Sequence, residues 1–287
     1  MIAKSLPATQ WREPTEDDSS GKIRDTREWV AREAALIIVV NGEELVRLAS
    51  SPTHCNDLAL GYLITEGVIG GLADVVRSDH DPAQGVAAFT LAPHRPFHSA
   101  DWRSRRTVSS GCGEGVTLGQ NVPRVADGGE VAVPPEFFRR VFTILREDYS
   151  VWYERTGCIH LAALAISGGP LVIREDIGRH NAVDKVVGAA ARLESPLASA
   201  VLCSTGRLSS DMIRKAAFAG IPVVASRSAP TSLAVDLAEA SGITLVGFAR
   251  RRRFNLYTHP ERIIFDETTA EDMLSPGRAS SENEREA

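Results

Sequence analysis

Four apolar runs of strand length recur in the second half of the chain, and they constrain its fold more than any other feature. The runs are GPLVIRED, SAVLCSTG, IPVVASRS and ITLVGFAR, and their scarcity of polar alternation is typical of strands covered on both faces. The segments between them, HNAVDKVVGAAARL, SSDMIRKAAFAG and APTSLAVDLAEASG, have helical patterns. Because strands and helices alternate, the sequence predicts an α/β domain with a mostly parallel sheet.

The first half of the chain has a different pattern. The runs ALIIVV and ELVRLA flank Asn41-Gly42, which is the strongest short signal for a β-hairpin. The segment from Leu58 to Ile64 has helical spacing, with Asn56 or Asp57 as its candidate N-cap. Residues 72–108 contain further short alternating runs. This half is therefore predicted to mix strands and helices in an α+β arrangement.

The change of pattern divides the chain into two predicted domains. Residues 23–130 form the α+β domain, and residues 131–267 form the α/β domain, which opens with an amphipathic helix from Pro135 to Tyr149. Both ends of the chain are polar, so residues 1–22 and 268–287 are predicted to be disordered tails.

Positive charge is concentrated at one place in the second domain. The chain has a net charge of -5, yet Arg250 to Arg253 are four consecutive arginines at the end of the last apolar run. This local cluster favours a small polyanionic ligand over a nucleic acid. No apolar stretch reaches the roughly 18 residues of a membrane span, and the N-terminus lacks the apolar centre of a signal peptide. We expect a cytoplasmic protein that binds neither nucleic acids nor membranes.

Three further arginines occupy loops that follow predicted strands. Arg179 lies in DIGRHN, Arg207 follows Gly206 in STGR, and Arg227 lies in SRSAPT. Ligands of open α/β sheets gather where strands end, and free N–H groups at helix starts can accept phosphate there. The three loops and the arginine run are therefore predicted to meet at one rim and to bind several phosphates. Helix caps use similar residues, which is the alternative interpretation.

Asp176 and His180 flank the first of these loops, and an aspartate and a histidine four residues apart are a candidate catalytic pair. We expect an N-cap and a satisfied polar contact from this pair.

The four cysteines, Cys55, Cys112, Cys158 and Cys203, are tens of residues apart. This spacing is typical neither of a disulfide framework nor of a zinc site. Cys158 and Cys203 adjoin or occupy apolar runs and are expected to be buried. Cys55 heads a predicted helix whose dipole could lower its pKa, and it ranks second to Cys112 as a reactive thiol.

Cys112 is the candidate nucleophile. It lies in SSGCGEG, where three glycines argue against burial in a core. Arg103, Arg105 and Arg106 precede it and would favour the thiolate, the nucleophilic form. The alternative is an unreactive small residue that fills a turn.

Several segments closely resemble the formate dehydrogenase accessory sulfurtransferases, the FdhD family. These segments are REDIGRHNAVDKVVG, SRSAPTSLAVDLAEASGITLVGFAR and FNLYTHPERI, with LALGYLITEGVI and SSGCGEG earlier in the chain. The resemblance covers about residues 25 to 266. It implies a sulfur relay in which a cysteine desulfurase passes persulfide sulfur to the protein. The protein then delivers the sulfur to the bis(molybdopterin guanine dinucleotide) molybdenum cofactor, which formate dehydrogenase requires.

The resemblance also implies residue roles and an assembly. The persulfide would form on Cys112, and the cofactor would contact the segment Phe248, Ala249, Arg250, Arg251, Arg252 and Arg253. Guanine nucleotides are expected to mimic the cofactor. The second domain would be a three-layer α/β domain like that of cytidine deaminases, and the protein would form a homodimer. Many members carry a second loop cysteine, C-G-x-C, but this chain has Gly115 there, so no mechanism can use a loop cysteine pair.

Two other functions compete with this interpretation. A cofactor-binding chaperone without sulfur transfer would keep the arginines and dispense with the thiol. A zinc nucleobase deaminase would need H-x-E and P-C-x-x-C motifs, and the sequence contains neither.

Overall fold

The computed structural model describes residues 1–12, 22–97, 107–108, 115–116, 122–125, 131–149, 151–166, 169–250 and 253–265. Three residues of the predicted site, Cys112, Arg251 and Arg252, lie outside the described residues, as does the predicted tail 268–287.

The described elements include strands in both halves of the chain. In chain order they are β1 (Ala3–Arg12), β2 (Lys22–Ala31), β3 (Ala34–Val40), β4 (Glu43–Ser50), α1 (Cys55–Thr65), β5 (Val75–Asp81), β6 (Val86–Leu91), β7 (Thr107–Val108), β8 (Gly115–Val116), α2 (Pro135–Glu147), α3 (Val151–Thr156), β9 (His160–Ile166), β10 (Leu171–Asp176), α4 (Arg179–Arg192), β11 (Ala200–Ser204), α5 (Ser210–Phe218), β12 (Val223–Ser226), α6 (Ser232–Ser241), β13 (Thr244–Arg250) and β14 (Arg253–Thr258).

The second half forms a six-stranded sheet in the order β10-β9-β11-β12-β13-β14. Only β11–β12 and β12–β13 are parallel, while the other three pairs are antiparallel. The prediction of a mostly parallel sheet is therefore wrong, although the α/β class is right. Short connections join β9 to β10 and β13 to β14, and such connections pair strands antiparallel. Helical crossovers precede β11, β12 and β13, so these strands run in the same direction as β10.

Helices cover both faces of this sheet. On one face, Phe137 of α2 packs against Ala163 and Cys203 of β9 and β11. On the other face, Leu164 and Leu202 of the same strands belong to a core that includes residues of α4, α5 and α6. Adjacent strand residues thus point into two separate cores. This double burial explains why the strands are continuously apolar.

The first half contributes a second sheet in the order β4-β3-β6-β5. The hairpin predicted at Asn41-Gly42 is confirmed, since β3 and β4 are antiparallel and both turn residues have positive φ angles, 51° and 84°. Helix α1 is also confirmed, but it begins after His54 rather than at Asn56 or Asp57. The carboxylate of Asp57 instead accepts a hydrogen bond of 2.9 Å from Arg174.

Helices α1 and α4 join the two halves through a backbone contact. A Cβ atom on Gly61 would lie 1.7 Å from the carbonyl oxygen of Asp184, and one on Gly188 would lie 1.9 Å from that of Asp57. Both glycines are therefore required for the two helix backbones to approach this closely. Through this crossing the first half packs against α4, the helix that begins at Arg179.

The N-terminal residues are ordered in part, contrary to the predicted tail over residues 1–22. β1 pairs with β2 along its full length, from Ala3 opposite Ala31 to Arg12 opposite Lys22. Buried apolar residues anchor the base of this hairpin, where Ile2 lies in a small cluster with Ile159. Pairing satisfies the backbone while most side chains stay polar, so composition alone did not reveal the strand.

Among the described helices, none has the length and apolar character needed to cross a membrane.

Candidate functional site

The ends of four strands define one edge of the six-stranded sheet. β10, β11, β12 and β13 run in the same direction, so the loops that follow them lie at this edge. β9 and β14 begin there, because His160 pairs with Asp176 and Arg253 pairs with Arg250. The structure thus brings most of the predicted residues together in what we call the basic rim: Arg179, Gly206, Arg207, Arg227, Phe248, Ala249, Arg250 and Arg253.

The loop after β11 packs directly on the start of α4. A Cβ atom on Gly206 would lie 2.8 Å from Cβ of Arg179 and 3.0 Å from its Cδ. Glycine is therefore needed for the Arg179 side chain to cross this loop. The hydroxyl of Ser226 donates a 2.6 Å hydrogen bond to the Gly206 carbonyl oxygen, which ties the loops after β11 and β12 together.

The end of β13 is irregular and is fixed to the loop after β12. Phe248 has a φ of 51°, an unusual conformation for a bulky residue, at a break in the pairing of β13 with β14. Its N–H donates to the carbonyl oxygen of Ser228 at 3.0 Å. Arg250 lies 5.8 Å from the centre of the Phe248 ring, and its Nε donates to the carbonyl oxygen of Arg227 at 2.7 Å. Ala249 is buried, so it supports the rim from below.

The rim carries positive charge on accessible side chains. Arg207, Arg250 and Arg253 are exposed, whereas Arg179 and Arg227 are half-buried. Burial lowers the pKa of His160, and the charges of Arg179 and Arg207 lower it further. The effect on this histidine shows that the two loop arginines act on the same small region. An anion would offset this mutual repulsion among the cations.

Most of the nearby loop amides are already used within the protein. The N–H groups of Gly206 and Ser228 donate to the hydroxyl oxygens of Ser204 and Ser226, at 3.1 Å and 2.9 Å. The N–H of Arg227 donates to the carbonyl oxygen of Ser204 at 3.4 Å. We expected free loop N–H groups to donate to phosphate, and this expectation is therefore wrong for these three groups. An anion at this edge would therefore contact mainly the guanidinium groups.

Asp176 has a structural role beneath the rim. It pairs with Lys185 at 2.6 Å, and both side chains are fully buried. The N–H groups of Ser51 and Gly178 donate to its two carboxylate oxygens at 3.0 Å and 2.9 Å. The N-cap expected from Asp176 is wrong, because Gly178 is the N-cap of α4 and no side chain caps this helix. This network fixes the loop that carries Arg179 to the end of β4.

His180 differs from the expectation of a satisfied contact. Its side chain is buried, and its Nε2 has no hydrogen-bond partner among the described residues. Burial and the charges of Lys215 and Arg179 lower its pKa to about 3. His180 is therefore neutral near pH 7 and does not add positive charge to the rim.

The thiols fall into different environments. Cys203 is buried as predicted, whereas Cys158 is exposed, so the prediction of burial is wrong for Cys158. Cys158 precedes β9, and burial begins only with the next residue, Ile159. Cys55 is half-buried, and burial raises its pKa, which opposes the dipole effect considered for it.

The environment of Cys112 is described only at its borders. Val108 pairs with Gly115 and Thr107 pairs with Val116, and Cys112 lies between these two short strands in the sequence. Gly115 lies in this short ladder.

Two exposed residues beside the rim were not singled out as site residues from the sequence. Asn255 and Tyr257 lie on β14, and Asn255 is opposite Gly247 of β13. The alternation in RFNLYT, with exposed residues at every second position, was the signal that could have found them. Among the described residues, no group of three or more His, Cys, Asp or Glu side chains is arranged to hold a metal ion.

The chain is similar to known proteins over most of its length. It is 38% identical over 237 residues to the sulfur carrier protein FdhD of Bacillus pumilus, a match that covers 82% of this chain and 90% of that one. It is also 38% identical over 283 residues to the protein of the same name from Anaeromyxobacter sp. (strain K), covering 90% and 96%.

A solved structure has the same overall fold. It is the crystal structure of a protein from Desulfotalea psychrophila assigned as a formate dehydrogenase accessory protein, with a TM-score of 0.71 and 25% identity. The match covers 92% of this chain and 100% of that chain. Residues 31–264 match the family described as FdhD/NarQ. This range includes Cys112 and the basic rim. The chain therefore belongs to the FdhD/NarQ family.

Proposed function

We propose that this protein is a sulfur carrier for the molybdenum cofactor of formate dehydrogenase. In this proposal a cysteine desulfurase loads sulfur onto Cys112 as a persulfide. The protein then delivers the terminal sulfur to the bis(molybdopterin guanine dinucleotide) molybdenum cofactor, its bound substrate. The names of the similar proteins support the sulfur-carrying role and the link to formate dehydrogenase.

The convergence of arginines at the basic rim is the observation that carries the cofactor-binding part. Two guanine dinucleotide arms contain several phosphate groups, and guanidinium forks pair with phosphate oxygens two at a time. Arg207, Arg250 and Arg253 are exposed at one edge, and Arg179 lies beside them. The Arg227–Arg250 contact sets the geometry of the edge before any ligand arrives. Arg251 and Arg252 belong to the same proposed site.

The proposed loading step is a thiol–persulfide exchange. The thiolate of Cys112 attacks the terminal sulfur of the donor persulfide, and the donor cysteine leaves as a thiolate. Cys112 then holds one additional sulfur atom. Gly115 removes the option of resolving this persulfide within the loop, so the sulfur stays available for transfer.

The same proposal extends to the assembly and to the fold likeness. We expect a homodimer, and we expect the six-stranded domain to be similar to that of cytidine deaminases. Size-exclusion chromatography with light scattering tests the first expectation.

The loading step is tested by mass spectrometry. Purified protein is incubated with a cysteine desulfurase and cysteine, and one added sulfur on Cys112 is expected. Cys112→Ala should gain none at this position. Cys158→Ala is the matched control, because Cys158 is an exposed thiol outside the proposed loop, and it should load like the wild type.

Maturation of formate dehydrogenase separates the carrier from the chaperone. Cys112→Ala should fail to support enzyme activity, while Cys158→Ala should support it. If Cys112→Ala matures the enzyme as well as the wild type does, the carrier function is wrong and a cofactor-binding chaperone remains.

A further inference from the structure

Asn255 and Tyr257 form an exposed pair beside the basic rim. They lie two residues apart on β14, so their side chains share one face of the strand. The amide Nδ2 of Asn255 donates a hydrogen bond of 3.3 Å to the phenol oxygen of Tyr257. This bond uses a donor of the amide, so the Asn255 carbonyl oxygen remains an acceptor.

Gly247 fixes the position of the tyrosine ring. A Cβ atom on Gly247 would lie 2.9 Å from Cε2 of Tyr257 and 3.0 Å from Cδ of Pro230. The ring therefore occupies the space that a side chain at position 247 would fill, next to the proline. Tyr257 nevertheless remains 36% exposed. A ring already held in place stacks on a ligand with little loss of conformational entropy.

The pair lies at a suitable distance from the cations. Arg253 is the first residue of β14, and Arg253, Asn255 and Tyr257 alternate on its exposed side. At about 3.3 Å per residue, Asn255 lies about 7 Å and Tyr257 about 13 Å beyond Arg253 along the strand. A nucleotide whose phosphates contact Arg250 and Arg253 could therefore extend its ribose and base along β14 toward this pair.

The chemistry of the pair fits guanine. Proteins hold unpaired bases by stacking on aromatic rings and by hydrogen bonds to base edges. Guanine carries an exocyclic amine donor at a position where adenine has none. The carbonyl oxygen of Asn255 is an acceptor of the kind that such an amine requires.

We propose that Asn255 and Tyr257 form the base subsite of the rim, which selects a guanine nucleotide. Tyr257 stacks on the base, and the carbonyl oxygen of Asn255 accepts from the exocyclic amine. The inference rests on the proposed function, because it names the part of the ligand that the same site recognises.

Titration calorimetry on the full chain tests this subsite with GDP, IDP, ADP and pyrophosphate. IDP lacks the exocyclic amine, and pyrophosphate lacks a base. The wild type should prefer GDP to IDP and ADP. Tyr257→Ala should weaken GDP binding by about 10-fold, the size of one base–aromatic stack, and should leave pyrophosphate binding unchanged.

Two further variants and one control test the two side chains separately. Asn255→Ala should bind GDP and IDP equally, since it loses the acceptor. Tyr257→Phe keeps the ring and should retain GDP affinity within a few-fold. Leu193→Ala removes an exposed side chain at the C-terminal end of α4, whereas Arg179 of the rim lies at its N-terminal end. This variant should behave as the wild type.

Different failures have different meanings. If the rim arginines are required for GDP binding but Asn255→Ala and Tyr257→Ala keep wild-type affinity and preference, the base subsite is wrong and the proposed function stands. Equal losses for Tyr257→Phe and Tyr257→Ala would contradict stacking. If the wild type binds neither GDP nor pyrophosphate, the proposed cofactor site fails and the subsite fails with it.

Discussion

Arg250 is tied to Arg227 by a hydrogen bond of 2.7 Å from its guanidinium Nε to the backbone carbonyl oxygen. The bond links the last residue of β13 to the loop after β12, and so it orients an exposed cation without a ligand. A guanidinium has five N–H donors, so the remaining ones can still reach a phosphate. Preorganisation of this kind reduces the conformational entropy lost on binding.

The contribution of Arg250 to GDP affinity should therefore exceed that of its charge alone. Arg250→Ala is expected to weaken GDP binding by about 10-fold or more, which is the size of one charge-assisted hydrogen bond. Arg250→Lys should restore only part of the affinity, because lysine cannot bridge a carbonyl and a phosphate with a planar fork. Titration calorimetry measures both variants.

Arg47→Ala is the control for loss of an arginine, since Arg47 is exposed and pairs with Glu44 in a different sheet. Equal affinities for Arg250→Ala and Arg47→Ala would remove Arg250 from the site. Higher salt should weaken GDP binding to the wild type, because exposed charges are screened.

The crossing of α1 and α4 should tolerate no side chain at its two glycines. Gly61→Ala and Gly188→Ala each place a Cβ atom less than 2 Å from a backbone oxygen. Overpacking alone costs about 1–3 kcal/mol, and a backbone clash cannot be relieved by a rotamer change, so we expect at least this loss. Denaturant unfolding measures it. Gly71→Ala is the control, because a Cβ there meets nothing within 4 Å, and a similar loss for it would contradict the close crossing.

Substitutions of Phe248 should change both the stability of the protein and its affinity for GDP. Its φ of 51° is unfavourable for any residue with a Cβ atom, so Phe248→Gly should be more stable than Phe248→Ala by about 1 kcal/mol. This order reverses the usual preference for alanine over glycine. Both variants should bind GDP more weakly than the wild type. Thermal unfolding of the pair tests the backbone conformation, and a more stable alanine variant would argue against it.

Stability should fall on mild acidification because of His180. The pKa of His180 is about 3 in the folded protein, against about 6.5 in an unfolded chain. Below pH 6.5 the unfolded state binds a proton that the folded state does not, so the contribution is full above pH 6.5 and is lost as the pH falls. From pH 7 to pH 5 the loss is about 2 kcal/mol.

His180→Gln should flatten this part of the stability profile in denaturant unfolding at pH 7, 6 and 5. His54, whose pKa is lowered to about 4, has the same sign in the same range, so the difference between His180→Gln and wild type isolates His180. Parallel profiles for the two proteins would contradict a buried neutral histidine.

Local signals predicted much of the fold. Asn41-Gly42 predicted a hairpin because only certain residues adopt its positive φ angles. The apolar runs identified β10 to β13, and β11 to β13 are buried on both faces. The directions of the strands were harder to predict from the sequence. The sequence contains the short connections that precede β10 and β14, but apolar runs alone do not distinguish parallel from antiparallel pairing.

Long-range contacts were beyond sequence reasoning. Lys185 and Lys215 have the composition of surface residues, yet both are buried in ion pairs with Asp176 and Asp184 that form only after folding. Cys158 adjoins an apolar run, but burial starts one residue later. The convergence of Arg179, Arg207 and Arg227 was predictable, because loops after strands of one direction share an edge.

Transfer of labelled sulfur tests the central claim most directly. Protein carrying a radiolabelled persulfide on Cys112 is mixed with the guanine dinucleotide form of the molybdenum cofactor, and label on the cofactor is counted. We expect the wild type to deliver sulfur, Cys112→Ala to carry none, and a combined Arg250→Ala and Arg253→Ala variant to load sulfur but deliver little. Delivery by the arginine variant at the wild-type rate would contradict the claim that the rim holds the cofactor for the thiol.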